Sequence, residues 1–212
     1  MKRLCIVMLF VLITPFALAQ SKSQSMKEDV QHVQRWNKFF NSLLELHQQN
    51  MQHRKIETTE HLGGYAGQPN FYREVSYYDK ASHRLLSRIQ WETKHPRRAH
   101  TVEVFLYDDQ GRVDRDYLAA YLPHFRNAPI QTLINLHHYN GDLHSYRQFD
   151  ASGNLIYEHC ERGKKNQNIL IQLDEDDISF YHRGMMQNID DKLYHKCFDG
   201  LEETATNYLN PF

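Results

Sequence analysis

The sequence predicts an α+β fold that is mainly β, with an N-terminal amphipathic helix packed on an antiparallel β-meander of about eight strands. Three observations predict it. Apolar residues recur at three- and four-residue spacing near the start of the chain, from Val30 to His47. From Phe71 onward they alternate with the period of two of half-buried strands. The alternating runs are separated by short turn signatures that resemble one another.

The chain opens MKRLCIVMLFVLITPFALAQ. Lys2 and Arg3 precede an apolar run from Leu4 to Ile13, and Ala17-Leu18-Ala19 supplies the small side chains that a signal peptidase accepts. Residues 1–19 therefore read as a secretory signal peptide, and Gln20 is the expected start of the mature chain. The run falls short of the roughly 20 residues that span a bilayer, and no later segment is apolar enough to stop transfer; an uncleaved anchor is the alternative. Cys5 sits inside the run, away from the position of a lipoprotein anchor. The expectation is an exported protein, periplasmic or secreted, without a transmembrane segment in the mature chain. Residues 20–212 have the length of a single domain with its own core. Losing Lys2 and Arg3 takes the formal charge from −1 to −3, which is not the balance of a nucleic-acid binder.

Ser25-Met26-Lys27-Glu28 matches the capping box, in which serine and glutamate satisfy two orphan backbone N–H groups, so a helix is expected over about residues 26–54. Val30, Val33, Trp36, Phe40, Leu43, Leu44 and His47 fall on one face, the stripe of a helix that covers a sheet. A loop around GGYAGQPN, residues 63–70, follows. The meander is expected over about residues 71–182, with strands at Phe71 to Tyr78, around Leu85 to Glu92 and Thr101 to Tyr107, then at Val113 to Tyr121, Thr132 to Tyr139, Leu143 to Phe149, Leu155 to Glu161 and Asn168 to Leu173. Residues 183–212 form a C-terminal segment.

Tyr107-Asp108-Asp109-Gln110-Gly111-Arg112-Val113 lines up with Phe149-Asp150-Ala151-Ser152-Gly153-Asn154-Leu155, and Tyr78-Asp79-Lys80-Ala81-Ser82-His83-Arg84-Leu85 is a longer, glycine-free relative. Aspartate at the first turn position can accept from the backbone two residues on, and glycine supplies the positive φ of a bulged hairpin. This unit resembles the hairpins of the YD (Rhs-type) and MORN-type repeat families over two good copies and one poor copy. The resemblance implies repeated β-hairpins and carries no function. A helix followed by a curved meander is also similar in overall plan to periplasmic lipoprotein carriers of the LolA type, which implies an apolar concave face. Arg73, Arg115 and Arg147 within the strands count against such a face.

Cys160 and Cys197 remain after cleavage, and an even cysteine count in an oxidising compartment reads as a disulfide. Their contexts YEHC (157–160) and YHKC (194–197) raise a Cys2His2 zinc site as the alternative, but His159 and Cys160 on one strand point to opposite faces. The stretch HHYNGDLH, residues 137–144, centres a type I′ turn on Asn140-Gly141. That register places His137 directly opposite His144, close enough to share a metal ion, with His138 on the other face. Two imidazoles fall short of the usual zinc set, so the stretch reads first as a hairpin and second as a metal site. Asp174-Glu175-Asp176-Asp177 lacks calcium-loop spacing and reads as a solvated turn.

Gly63-Gly64 and Gly67 do not fit a dinucleotide fingerprint, and no Gly-x-Ser-x-Gly elbow occurs, so neither a cofactor nor a catalytic residue is assigned. The leading expectation is a non-catalytic envelope protein that binds a protein partner or an apolar ligand through its sheet and helix surface. The alternatives are a metal-binding protein that uses surface histidines and a hydrolase whose groups converge only on folding.

Overall fold

The computed structural model describes residues 30–163, 168–186 and 189–212. The expected signal peptide and the Ser25 capping box lie outside the described residues. Helix α1 spans Val30–Met51. Nine strands follow: β1 Ile56–Tyr65, β2 Gln68–Asp79, β3 Leu85–Glu92, β4 Ala99–Tyr107, β5 Val113–Ala120, β6 Gln131–Asn140, β7 Leu143–Phe149, β8 Leu155–Arg162 and β9 Ile169–Asp174. Two short helices close the chain, α2 Glu175–His182 and α3 Asp191–Phe198. The strands form one sheet in the order β1 to β9, and every neighbouring pair is antiparallel. The α+β, mainly β architecture with an N-terminal helix on a meander is therefore present, with one strand more than the pattern predicts.

The additional strand is β1. Its sequence IETTEHLGGY has no apolar alternation because no residue on it is buried, so the signal of a half-buried strand is missing. It is held from one side by its ladder with β2, reinforced by Arg73 Nη1 donating to Glu60 Oε1 at 2.7 Å. The meander thus begins near residue 56, and residues 63–70 form the β1–β2 hairpin with Gly67 at φ +79°.

The core lies on one face of the sheet. Trp36, Phe39, Phe40, Leu43 and Leu46 of α1 cover Ile89, Val102, Val104, Tyr117, Ala119 and Ile134. The stripe is displaced slightly from the one the sequence suggests: Phe39 and Leu46 join it, whereas Val30 is exposed. His47 is also buried and bonds through Nδ1 to Ser87 Oγ at 2.6 Å. Beyond α1 the same core continues under α2 and α3, where Leu143, Phe149, Ile171 and Leu173 meet Ile178, Tyr194 and Phe198. Cys160 and Cys197 lie there at 2.04 Å between sulfurs, bonding distance, and tie β8 to α3. Among the described residues no helix is long and apolar enough to cross a membrane.

The three related turns share one construction. Asp108 and Asp150 accept backbone N–H groups with their carboxylates, and Gly111 and Gly153 take φ of +80° and +87°. In the glycine-free copy Asp79 accepts from Ala81 and Ser82, and His83 itself occupies the left-handed region at φ 57°. Each turn shifts the register of the strand pair it joins, as a bulged hairpin does. The acidic run is not a turn: Asp174 caps α2 by accepting from Asp176 and Asp177 N–H, and the following acids lie at the helix N-terminus, where the dipole favours them.

Candidate functional site: a cationic cavity and a histidine chain

The expected register of the 137–144 hairpin is corrected by the structure. Asn140 pairs with Leu143, so the two-residue loop is Gly141-Asp142, not Asn140-Gly141. Gly141 has φ +64° while Asp142 is not in the left-handed region, the pattern of a type II′ turn with glycine first. His137 therefore faces Tyr146, and His144 faces Tyr139. The displacement moves the pairing by two positions and preserves the faces, so His137 and His144 still meet, diagonally, with Nδ1 and Nε2 3.0 Å apart. His138 points the other way, toward Gly200.

The pair lies in a hydrogen-bonded chain on the face opposite the core. His137 Nε2 contacts Asp116 Oδ1 at 2.6 Å, and His144 Nδ1 contacts Glu161 Oε1 at 3.0 Å. Asp116 also accepts from Asn135, whose carbonyl accepts from Gln148. The ladder extends across the sheet through Arg88, which reaches both Glu74 and Glu103. Burial lowers the His144 pKa and raises that of Tyr146 to about 12. His159 lies on this face against Tyr146, with Cys160 on the other, so the contexts of the two cysteines do not converge on a Cys2His2 site. Among the described residues no group of three or more His, Cys, Asp or Glu side chains is arranged to hold a metal ion.

A different site emerges at the β1–β2 end of the sheet, where a half-open cavity of about 720 Å³ is lined by Gln68, Pro69, Phe71, Glu92, Lys94, His95, Arg98, His124 and Arg126. Three connections build it: the start of β2, the β3–β4 loop and the segment after β5. Glu92 is nearly buried and holds two guanidinium groups, Arg98 at 3.5 Å and Arg126 at 3.4 Å. Arg126 is fixed further by donation to the Ala99 carbonyl at 2.9 Å and by the Tyr121 ring 3.8 Å beneath it. His124 has φ 62° at the third position of the Leu122-Pro123-His124-Phe125 turn, closed by Phe125 N–H donating to the Leu122 carbonyl at 3.1 Å. Proline before a left-handed residue is a type II arrangement that normally places glycine where His124 stands. Strained residues of this kind gather at ligand sites. The His124 ring bonds Gln68 and meets the edge of Phe71.

Behind Phe71 lies His100, fully buried, its Nε2 2.5 Å from the Tyr65 hydroxyl and its Nδ1 without a protein partner. Burial, together with the nearby Arg126 charge, pushes its pKa down to about 4, so the ring is neutral at pH 7. None of these residues is singled out by the sequence reading. The run Lys94-His95-Pro96-Arg97-Arg98 is the one local signal, a cationic cluster in a loop. Comparison of the chain with protein-family models, with curated proteins and with solved structures finds no match.

Proposed function

We propose that this chain is an exported, non-catalytic binding protein, and that its ligand is anionic and seats in the cavity between β2, the β3–β4 loop and the segment after β5. The observation that carries this reading is the convergence of Lys94, Arg98 and Arg126 on one space that contains a single lining carboxylate, Glu92. Three cations against one anion leave an excess positive potential focused in a concave site. Glu92 acts as a brace: it holds two guanidinium groups ready at no cost in side-chain ordering when the ligand arrives. That commitment to two cations suits a scaffold better than a proton carrier.

The volume falls within the range of about 300–1,000 Å³ of small-molecule sites. Phe71 and Pro69 supply an apolar wall, which suits a carboxylate or phosphate on an apolar or aromatic body, or an acidic side chain of a protein partner. A wholly apolar ligand fits less well, since α1 and α3 fill the sheet's apolar face. A thermal-shift screen of organic anions beside their neutral analogues tests the proposal. Anions should raise the melting temperature, less so as salt is added. Equal stabilisation by neutral analogues, or none by any anion, would reject it.

A further inference from the structure

The sheet ends at β1, whose outer edge pairs with no other strand among the described residues. Its ladder with β2 is regular from Ile56 to Gly63. One bond fixes which way its backbone groups point. Lys80 N–H donates to the Lys55 carbonyl at 2.8 Å, so these two residues form a hydrogen-bonded pair one step before the Ile56 and Asp79 pair. Such pairs recur at every second residue of an antiparallel ladder. Glu57, Thr59 and His61 therefore bond to β2, while Ile56, Thr58, Glu60 and Leu62 aim their N–H and C=O groups outward. Natural edges of this kind are usually blunted by proline, lysine or a bulge. Between Ile56 and Leu62 β1 has none of these. The side chains sort by the same alternation. Glu57, Thr59 and His61 share the polar face with Glu74, whose Oε1 lies 3.6 Å from His61 Nε2, whereas Ile56 and Leu62 lie on the α1 face and Leu62 is 59% exposed.

We propose that β1 pairs antiparallel with β1 of a second copy of this chain, about a two-fold axis through Thr59, so that two sheets join into one. The register is what commits the edge to a second copy. A two-fold axis perpendicular to the sheet keeps every side chain on its own face, so one residue must stand opposite itself. An axis at Glu57 or Glu60 sets like carboxylates against each other. An axis at Thr58 or His61 sets Glu60 opposite Ile56 or Leu62. The axis at Thr59 matches every position. Glu57 of each copy then faces His61 of the other, Ile56 faces Leu62, and the Thr58 hydroxyl can donate to the Glu60 carboxylate. The outward residues meet each other, Thr58 with Glu60 and Ile56 with Leu62, and each such pair exchanges both N–H···O=C bonds. Glu57 and His61 fall in the closer, non-hydrogen-bonded pairs, where opposite charges stabilise the ladder most directly. The contact is isologous and closes as a dimer. None of these residues lines the cationic cavity, so the proposal is independent of the anion reading.

Thr59→Cys, made with the Cys160–Cys197 disulfide intact, tests the register. The two introduced thiols stand opposite each other with Cα atoms about 4.5 Å apart, within the reach of a disulfide, and mild oxidation should link the chains on a non-reducing gel. Thr58→Cys places them on diagonal neighbours about 7–8 Å apart and should link far more slowly. Sedimentation velocity of the wild type should show a dimer that grows with protein concentration. Thr58→Pro removes an outward N–H, leaves the β2 ladder its bonds, and should abolish that dimer. Glu57→Gln should raise the dimer dissociation constant about 2- to 30-fold, the loss of two cross-strand charge pairs. Circular dichroism checks that the variants fold; if Thr58→Pro does not, the comparison of the two thiol variants decides alone. A wild type that stays monomeric at every concentration, equal linking of the two thiol variants, or a dimer indifferent to Thr58→Pro would overturn the proposal. Growth beyond the dimer would overturn it too, since it would assign the edge to head-to-tail pairing with β9 of the next copy.

Discussion

Glu158 offers a direct probe of what holds the C-terminal segment to the sheet. Its carboxylate is fully buried and accepts from Arg147 Nε at 2.7 Å, while the Tyr194 hydroxyl of α3 donates to it from 3.0 and 2.9 Å of its two oxygens. Arg147 also donates to the Leu201 carbonyl at 2.9 Å and lies near the Phe198 ring. Burial, with the Glu158 charge beside it, pushes the Tyr194 hydroxyl far above the ordinary phenol range, so it remains a donor. Glu158→Gln preserves the shape and removes the charge, leaving a guanidinium buried without its counter-ion. Breaking a buried pair in this way costs about 3–5 kcal/mol, a large share of the roughly 5–15 kcal/mol that a domain has in hand. Urea denaturation followed by far-UV circular dichroism and tryptophan fluorescence, with the disulfide intact, measures the loss. The triple variant Arg147→Met/Glu158→Leu/Tyr194→Phe removes both charges and the hydroxyl together, and should be more stable than Glu158→Gln because no charge is left unpaired. A Glu158→Gln loss below about 1 kcal/mol, the range of surface substitutions, or a triple variant less stable than the single one, would show that the buried charge pair is not what holds the segment.

Other outcomes follow from the same structure. Gly153→Ala should destabilise by about 1–2 kcal/mol through its left-handed φ alone, since the nearest atom to an added Cβ, from Leu209, is at 3.8 Å, an ordinary contact; the urea midpoint reads this. Burial pushes the His47 pKa down to about 4, so the folded state resists a proton that the unfolded chain accepts near pH 6.5. Stability from this group is complete above the unfolded value and falls as the pH drops toward the folded one; His47→Gln should reduce the difference in unfolding free energy between pH 7 and pH 5 by about 2 kcal/mol. Replacing Cys160 and Cys197 by alanine releases a 37-residue separation, which the chain-entropy relation equates with about 4 kcal/mol, measurable by thermal or urea unfolding.

What the sequence disclosed depended on where apolar residues fall. The α1 stripe and the strands from β2 to β9 bury one face, so periodicity reports them. β1 buries almost nothing and is invisible to the same test, although Thr58, Thr59 and His61 sit in a regular ladder. The hairpin at Gly141 shows a subtler limit. Asn-Gly and Gly-Asp are both good two-residue loops, and Asn140 has a second attachment that local reasoning cannot see, its side-chain amide donating to the Lys196 carbonyl at 3.2 Å. Because the resulting slip is even, the histidines keep their shared face, and the contact between them was legible where its register was not. Of the cavity, only the cationic run from Lys94 to Arg98 was legible. Gln68 opens β2, Glu92 ends β3 and Arg126 follows β5, and only the folded sheet sets a carboxylate between guanidinium groups so distant in sequence.

On the proposed reading, the cavity binds an anion through charge. Isothermal titration of the best anionic ligand from the screen into wild type and into Lys94→Gln/Arg98→Gln tests it most directly, since both side chains are exposed and Glu92 retains Arg126 when they are changed. Loss of two charged hydrogen-bond donors, at about 1.5–3 kcal/mol for each fully formed contact and less where water screens it, should weaken binding at least about tenfold while the melting temperature of the free protein stays near that of wild type. Unchanged affinity in the double variant, with the ligand still bound stoichiometrically, would rule out the cavity as the anion site and move the binding surface elsewhere on the sheet.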